Sequence, residues 1–353
     1  MYDVCIIGGG INGVSTALQC SERGYSVILF EQKYLGSGAS SKTSKLAHGG
    51  LRYLQNLEIN LVRESLRERD RLMEDYPDLV APLPFVFPVY NTFDIIKVWA
   101  GLKLYDILAR GSQMPSSQKI GTEHIKLKTP WLKCDNITSA FLYYDAVMYD
   151  QEIVTRIANK ARDISAELYS EEKVIYHHQT KRCVDVRTTK RKIECKVLVN
   201  VTGAWNKKMT TPSKGVHLIT RKLKSDAATI LINPKDSRVF FTIPYKHSNQ
   251  TIIGTTDNTY TGDPCNVSIS NDDRQYIIDA INTFSIETIT MSDIVGEYVG
   301  LRPLAKSGKK VGEISRDFLI NQTDRIFSMV GGKYTTHRAM CEQLTDQIAR
   351  FLA

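Results

Sequence analysis

The sequence has no Cys-x-x-Cys pair, although it contains seven cysteines among 353 residues. They are odd in number and scattered along the chain, which is typical of reduced thiols. The sequence also has a single Gly-x-Gly-x-x-Gly motif, at its N-terminal end. These two absences exclude a pyridine-nucleotide disulfide reductase, which needs a redox-active cysteine pair and a second dinucleotide site.

Long apolar runs are missing as well. Hydrophobic residues make up 42% of the chain and charged residues 24%, but no stretch approaches the roughly 18 to 20 apolar residues that span a bilayer. A strand is predicted from residue 2, which leaves no room for a signal or transit peptide. We therefore expect a cytoplasmic protein, with peripheral attachment to the inner face of a membrane as the alternative.

The sequence contains no zinc-finger pattern and no aromatic RNA-binding signature. Nucleic acid is therefore the least favoured partner, and no metal site is predicted. The net charge of +8 instead favours an anionic partner, because a positive field attracts anions. A phosphorylated substrate or an anionic membrane surface would meet this description.

Residues 1–31 carry the pattern of a strand, a glycine turn, a helix and a second strand. In such a unit Gly8 permits the tight turn, Gly10 lets the backbone approach a pyrophosphate, and Gly13 lets the helix pack closely on the strand. The helix N-terminus then faces the phosphates with partial positive charge. Glu31 lies where a carboxylate binds ribose hydroxyls. We predict a dinucleotide site; the alternative is an ordinary βαβ unit whose glycines are coincidental.

Further motifs match a known family in their order along the chain. Residues 44–54 read S-K-L-A-H-G-G-L-R-Y-L, and later motifs are T-I-P-Y at 242–245, I-I-G-T-T-D at 252–257, G-D-P at 262–264, G-L-R-P-L at 300–304, S-R-D at 315–317 and G-G-K-Y-T-T-H-R at 331–338. With these motifs the sequence resembles the FAD-dependent glycerol-3-phosphate dehydrogenase family, the quinone-linked enzymes and their oxygen-using relatives. The resemblance covers nearly the whole chain. We expect this chain to lack the C-terminal helical domain of the best-known members.

The resemblance implies a two-domain α/β (α+β) flavoprotein of the amine-oxidase-like, glutathione-reductase-type class, with a Rossmann-like FAD-binding domain and an antiparallel-sheet substrate domain. We predict a discontinuous FAD-binding domain from residues 1–80, 141–212 and 300–353, and a substrate domain from residues 81–140 and 213–299. Runs of β-branched residues in the second part favour the antiparallel sheet.

Two segments of the predicted substrate domain are informative. Residues 83–90 are punctuated by proline, which predicts an edge strand. Residues 95–110 are apolar with interspersed basic residues and aromatics. We expect this segment to be buried against the core, and the alternative is a surface helix that enters an anionic membrane face.

Oxidation of a secondary alcohol needs a hydride acceptor, a base for the hydroxyl proton, positive charge near the developing alkoxide and a substrate clamp. By resemblance, the substrate-pocket positions are Arg52, Tyr53, Arg302, Lys333 and Thr335. We predict His48, Arg302 and Lys333 as the catalytic residues. His48 is the preferred proton acceptor because an unperturbed histidine has a pKa of about 6.5; the alternative is a loop histidine bound to flavin or backbone. Arg302 would stabilise the alkoxide, and Arg52 and Lys333 would bind the phosphate. These three cations could exchange roles. Lys333 is also a candidate for binding N1 and O2 of the flavin.

The FAD contacts implied by the resemblance and by the first βαβ unit form a larger set. They are Gly8, Gly10, Ile11, Asn12, Gly13, Glu31, Gln32, Ser40, Ser41, Ser44, Lys45, Leu46, His48, Gly49, Val174, Thr202, Gly203, Trp205, Arg302, Gly332, Lys333, Tyr334 and Thr335. Five of the six other histidines are interpreted as surface or structural residues: His177, His178, His217, His247 and His337.

The resulting hypothesis is FAD-dependent oxidation of sn-glycerol 3-phosphate to dihydroxyacetone phosphate by hydride transfer from C2 to flavin N5. Electrons would pass to quinone or another acceptor. One alternative is an FAD enzyme acting on another 2-hydroxy or 2-amino acid, which would need a carboxylate clamp. The other is a non-catalytic flavin-binding subunit that serves as an electron-transfer or membrane adaptor.

Overall fold

The computed structural model describes residues 1–245, 249–306 and 317–353. Its strands, numbered β1 to β18 in chain order, are Tyr2–Ile7, Val27–Phe30, Leu46–Ala47, Val80–Val89, Gln118–Ile120, Ser139–Met148, Glu167–Tyr169, Val174–Gln179, Val184–Thr188, Lys192–Asn200, Thr210–Thr220, Ala228–Ile232, Val239–Tyr245, Gln250–Gly254, Asn258–Thr259, Ile294–Ala305, Phe318–Thr323 and Ile326–Gly331. The α-helices, α1 to α7, are Ile11–Glu22, Ile59–Asp75, Thr92–Leu108, Thr122–Lys128, Asp150–Asp163, Asn271–Asn282 and His337–Leu352.

The first sheet is built around β1, which pairs in parallel with β2 on one side and with β10 on the other. β18 extends this parallel arrangement next to β10. The side chains of Val4, Cys5 and Ile6 are completely buried, as expected for a central strand covered on both faces. Helices α1 and α7 pack together against one face. The end of β10 therefore lies beside the glycine turn that follows β1.

The second sheet contains β3 to β6 and β11 to β16, and most of its neighbouring strands are antiparallel. The prediction of an edge strand at residues 83–90 is wrong. β4 pairs with β6 along its whole length, and it also pairs in parallel with β12. The second pairing involves only Phe85 and Val86 of β4. Proline lacks an N–H donor, and these two residues lie in the proline-free stretch between Pro84 and Pro88, so the strand has room for a short second ladder.

Sheet membership differs from the predicted domain ranges at several places, and the two longest differences concern β6 and β16. β6 lies in the second sheet, whereas residues 141–148 were predicted in the FAD-binding domain. β16 also lies in that sheet, whereas residues 300–305 were predicted in the FAD-binding domain. An apolar strand fits either sheet on periodicity alone, so long-range pairing decides its place. The domain boundaries stay a prediction.

Helix α3 meets only in part the expectation that residues 95–110 are buried against the core. Leu102 and Tyr105 are almost completely buried, but Phe93 is 89% exposed, Ile96 74% and Trp99 51%. The helix packs on the core through Leu102 and Tyr105, with Ile95 and Val98 partly buried, and its other face presents apolar side chains to the surface. None of the helices in the described residues combines the length and apolar character that a bilayer crossing requires.

Candidate active site

The glycine turn after β1 has no space for side chains. Gly8 has φ +108°, and a Cβ there would lie 2.8 Å from the carbonyl oxygen of Val201. A Cβ at Gly13 would lie 1.8 Å from the oxygen of Gly8. Gly10 is the N-cap residue of α1 and has no side chain to cap the helix. The N-terminus of α1 is therefore positioned to receive an anion from outside the chain.

Glu31 is held rigidly at the end of β2. One carboxylate oxygen accepts from the backbone N–H of Gly9 at 2.7 Å, and the other accepts from the N–H of Lys33 at 2.9 Å. Ser40 adds a second link, because its hydroxyl accepts from the N–H of Ile11 at 2.9 Å. The turn, the acidic residue and the following loop therefore form one preorganised surface.

A cavity of about 980 Å³ extends from this surface to the second sheet. Its volume lies at the upper end of the range of about 300–1,000 Å³ typical of small-molecule sites, which suits an extended dinucleotide together with a small substrate. Most of the predicted site residues line it: Gly8, Gly10, Ile11, Asn12, Glu31, Gln32, Ser40, Ser44, Leu46, His48, Arg52, Tyr53, Val174, Thr202, Gly203, Trp205, Arg302, Gly332, Lys333, Tyr334 and Thr335.

Four predicted cofactor residues are not part of this lining in the described structure: Gly13, Ser41, Lys45 and Gly49. The Lys45 ammonium donates to Asp150 at 2.6 Å and to the backbone oxygen of Ser41 at 2.8 Å. The backbone N–H of Gly49 donates to Asp145 at 3.1 Å. These residues shape the wall through packing and backbone geometry, and their role as direct cofactor contacts stays a prediction.

Two cations that line the cavity lie next to the same aromatic ring. The guanidinium carbon of Arg52 lies 5.3 Å from the centroid of Tyr53, and the Lys333 ammonium lies 5.0 Å from it. Lys333 also donates to the Ser65 hydroxyl at 2.7 Å and to the His48 carbonyl at 3.3 Å. Burial lowers the pKa of Lys333 to about 7, an effect that the charge of Asp145 opposes. Lys333 is therefore available in both protonation states near neutral pH.

Arg302 is the third cation, and the loop after β14 fixes its guanidinium. Its Nη2 donates to the Thr255 hydroxyl at 2.9 Å, and its Nη1 donates to the Thr256 carbonyl at 3.2 Å. Asp257 accepts from Nη1 at 3.4 Å. With several donors fixed in this way, the positive charge is held at one position on the cavity wall.

His217 is a residue that sequence reasoning missed. It was interpreted as surface or structural, but it lines the same cavity as His48. Its Nε2 lies 2.8 Å from the Ser44 hydroxyl, and its ring stacks on Tyr298 with a centroid distance of 4.7 Å. Its Nδ1 is buried without a hydrogen-bond partner in the part of the chain that the structure describes. Burial, followed by the charges of Arg302 and Lys45, holds its pKa well below the usual value, so the ring is neutral.

One feature of the sequence could have pointed to His217, namely a glycine within the same strand. Gly215 lies two positions before it in β11, and such a glycine often marks close approach of another group. Of the other histidines, His177 and His178 are exposed on β8 and His337 is buried against Ser15. His247 lies outside the described residues, as do Ser315 and Arg316 of the S-R-D motif.

This chain is similar in sequence and in structure to known flavoproteins. A family model described as FAD dependent oxidoreductase matches residues 3–346. Glycerol-3-phosphate dehydrogenase of Pseudomonas tolaasii is 35% identical over 99% of this chain and 72% of its own length. The structure of glycerol-3-phosphate dehydrogenase from Bacillus halodurans complexed with FAD has a TM-score of 0.78 at 25% identity, covering 100% of this chain and 65% of that chain.

L-alpha-glycerophosphate oxidase from Mycoplasma pneumoniae with FAD bound has a TM-score of 0.80 at 15% identity, covering 99% of this chain and 94% of that chain. At this identity the likeness shows a shared fold alone. The open helix N-terminus, the fixed Glu31 carboxylate and the size of the cavity fit FAD as the cofactor. The chain therefore belongs to the family of FAD dependent oxidoreductases and, within it, to the glycerol-3-phosphate dehydrogenases.

Proposed function

We propose that this protein oxidises sn-glycerol 3-phosphate to dihydroxyacetone phosphate and passes the two electrons to quinone or another acceptor. The observation that carries the proposal is that Arg52, Arg302 and Lys333 all line the cavity that begins at the glycine turn, with Arg52 and Lys333 next to the same ring of Tyr53. A phosphate dianion needs several cationic donors, and arginine and lysine are its usual protein ligands. The similarity to glycerol-3-phosphate dehydrogenases supports the same substrate.

In this reaction the C2–H bond breaks as a hydride leaves, the C2 hydroxyl loses its proton, and a C2 carbonyl forms. FAD, when bound, supplies the hydride acceptor. Arg52 and Lys333 bind the phosphate and thereby orient C2. Arg302, fixed by Thr255 and Thr256, stabilises the negative charge that develops on the C2 oxygen.

His48 accepts the hydroxyl proton in this proposal. It lies on the cavity wall, and its backbone oxygen accepts a hydrogen bond from Lys333. His217 is the second candidate, because its ring is neutral and its buried Nδ1 has no partner among the described residues. Comparison of His48→Asn and His217→Asn separates the two. The variant that lacks the base loses the rise of the flavin-reduction rate with pH, whereas the other variant retains this rise.

Charge distinguishes phosphate from the alternative substrates. A 2-hydroxy or 2-amino acid carries a single carboxylate, for which one bidentate arginine is sufficient. Arg52 and Lys333 next to the same Tyr53 ring would leave excess positive charge beside such a substrate, which is energetically unfavourable. A non-catalytic electron-transfer or membrane adaptor would not need a substrate clamp beside the cofactor.

The test is anaerobic reduction of the purified yellow protein. Glycerol 3-phosphate should bleach the flavin absorbance band, whereas glycerol at the same concentration should do so far more slowly because it lacks the phosphate. Bleaching only by a hydroxy or amino acid would replace the proposal with the second enzyme class. An unchanged band with every one of these substrates would favour the adaptor.

We further propose that α3 attaches the protein to an anionic membrane surface. Phe93, Ile96 and Trp99 are exposed on this helix, and Lys97 lies among them. Aromatic and aliphatic side chains of this kind enter the headgroup region, where lysine attracts anionic lipids. Vesicles that contain phosphatidylglycerol should sediment with the wild-type protein, and the combined variant Phe93→Ser and Trp99→Ser should stay in the supernatant.

Leu127→Ser is the matched control for this membrane test, because Leu127 is 70% exposed on α4. It should sediment like the wild type. Membrane attachment through α3 would be contradicted if all three proteins sedimented with the vesicles to the same extent, or if none of them sedimented.

A further inference from the structure

Asp145 is a buried carboxylate in the wall of the cavity. It lies on β6, is 2% exposed and contributes to the cavity wall. Its Oδ1 accepts from Arg69 at 3.1 Å and from the backbone N–H of Gly49 at 3.1 Å. The Tyr105 hydroxyl lies 2.8 and 2.9 Å from its two oxygens. Four elements of the fold therefore meet at one carboxylate.

A single peptide group joins Asp145 to Lys333. The N–H of the peptide bond between His48 and Gly49 donates to Asp145 at 3.1 Å. The C=O of the same peptide bond accepts from the Lys333 ammonium at 3.3 Å. A carboxylate at the N–H end polarises the peptide and makes its oxygen a stronger acceptor. The hydrogen-bonded chain therefore runs from the anion through the backbone to the cation.

Arg69 has more carboxylate partners than its single charge needs, whereas Lys333 has none among its hydrogen-bond partners in the described residues. Arg69 has two carboxylate partners, Asp145 at 3.1 Å and Asp70 at 2.8 Å. The hydrogen-bond partners of the Lys333 ammonium within the described residues are the neutral Ser65 hydroxyl and His48 carbonyl. Asp145 therefore provides more negative charge than Arg69 alone requires, and the excess acts on the neighbouring ammonium.

We propose that Asp145 is a positioning residue of the active site: it fixes the peptide bond between His48 and Gly49 and keeps Lys333 positively charged through that peptide. The inference rests on the proposed function in one respect, because it assigns the retained charge to phosphate binding. It also explains why a carboxylate is buried next to a site that must bind an anion. The carboxylate acts from behind the backbone, where it supports the cation without meeting the substrate.

Several charged groups besides Asp145 face Lys333. Arg52 lowers the pKa of Lys333 further, whereas Glu58, which precedes α2, and Glu64, on α2, raise it. Glu58 and Glu64 are less buried than Asp145, so solvent screens their effect more strongly. Removing the charge of Asp145 should therefore move the protonation midpoint of Lys333 to lower pH.

The test measures the amine of Lys333 in the FAD-bound protein without substrate. Acetic anhydride reacts with unprotonated amines, and mass spectrometry reports the labelled fraction of each lysine at each pH. Lys235, which is 72% exposed, serves as the reference for reagent concentration. In Asp145→Asn, the midpoint for Lys333 should fall by about one pH unit or more, so that labelling below the wild-type midpoint becomes about tenfold faster.

Two further variants separate charge from structural loosening. Tyr105→Phe removes a hydrogen bond to the same carboxylate but keeps its charge, and the midpoint should stay at the wild-type value. If Asp145→Asn does not fold, the double variant Asp145→Asn with Arg69→Gln replaces the charged pair by neutral groups of similar shape. Its midpoint should still fall, but by less than in the single variant, because the positive charge of Arg69 is removed as well. An unchanged midpoint in a folded variant without the Asp145 charge, or an equal fall in Tyr105→Phe, would overturn the inference.

This outcome is independent of the substrate. A shifted midpoint together with no flavin reduction by glycerol 3-phosphate would contradict the proposed function and leave the role of Asp145 towards Lys333 intact. An unchanged midpoint together with normal flavin reduction would contradict the role of Asp145 and leave the proposed function intact.

Discussion

Arg302 lies directly over Gly215, at a distance that permits no side chain between them. A Cβ at Gly215 would come within 2.6 Å of Nη2 and 2.8 Å of Cζ of Arg302. β11 and β16 are antiparallel neighbours, and Gly215 is opposite Gly300 in their register. The bare backbone of β11 thus provides the surface on which the guanidinium rests while it donates to Thr255 and Thr256.

Gly215→Ala should displace the Arg302 guanidinium, because the new methyl group occupies its position. We expect kcat/KM for glycerol 3-phosphate to fall about 10- to 100-fold, a change of about 1.4–2.8 kcal/mol. Gly296→Ala in the neighbouring strand is the matched control, since a Cβ there would lie at an ordinary 3.4 Å from Ile219. Equal kinetics for the two variants would show that the contact with Gly215 does not position Arg302.

Arg302→Ala should slow anaerobic flavin reduction about 10²- to 10³-fold, the usual loss when one donor to a developing oxyanion is removed. The control is Arg274→Ala. Arg274 forms an ion pair with Glu297 at 2.5 Å near the surface, with side-chain exposures of 27% and 29%. A partly exposed pair of this kind contributes little, and the rate should stay near wild type. Stopped-flow absorbance measures both rates, and wild-type reduction by Arg302→Ala would remove this residue from the site.

The affinity for glycerol 3-phosphate should weaken as pH rises through about 7. The reason is the pKa of Lys333, which burial lowers to about 7, so that the fraction of charged ammonium falls above this pH. Bound phosphate opposes the loss, because a nearby anion favours the protonated form. KM measured between pH 6 and 9 should therefore rise with pH in the wild type.

Lys333→Arg tests the origin of this rise, since a guanidinium stays protonated throughout the range. KM should be nearly constant with pH in that variant, even if its absolute value differs. A parallel rise in both proteins would assign the pH dependence to another group.

Glu31→Ala should weaken FAD binding by about 10- to 100-fold. The Gly9 and Lys33 N–H groups fix the carboxylate at 2.7 and 2.9 Å, and we predict that it binds the ribose hydroxyls of FAD. Hydrogen bonds to a charged group contribute about 1.5–3 kcal/mol. The flavin-to-protein ratio after gel filtration and the FAD dissociation constant measure the loss. Glu167→Ala, on the adjacent strand β7, removes an exposed carboxylate that binds Tyr2 and Tyr169, and it should retain FAD fully.

The parts of the site that the sequence predicts well are local. The glycine turn, α1 and Glu31 follow within thirty-one residues, so their spacing contains most of the geometry. The family motifs add Arg52, Arg302 and Lys333, which come together from distant segments. Their convergence on one cavity depends on the fold, and similarity of motifs anticipates it only because related chains fold alike.

The parts that the sequence does not predict depend on long-range pairing. His217 meets Ser44 only because β11 and the loop before β3 approach each other in the folded chain. Asp145 meets Arg69 and Tyr105 for the same reason, and an isolated Asp in the apolar strand β6 has no local pattern that identifies its partners. The interior position of β4 also depends on a partner, β12, that follows it by more than a hundred residues.

The most direct measurement is a crystal structure of the FAD-bound protein with dihydroxyacetone phosphate. The proposed function predicts phosphate oxygens within about 3 Å of Arg52 and Lys333, the C2 oxygen next to Arg302, and C2 over the flavin ring. A phosphate group bound away from these cations, with C2 remote from the flavin, would contradict it.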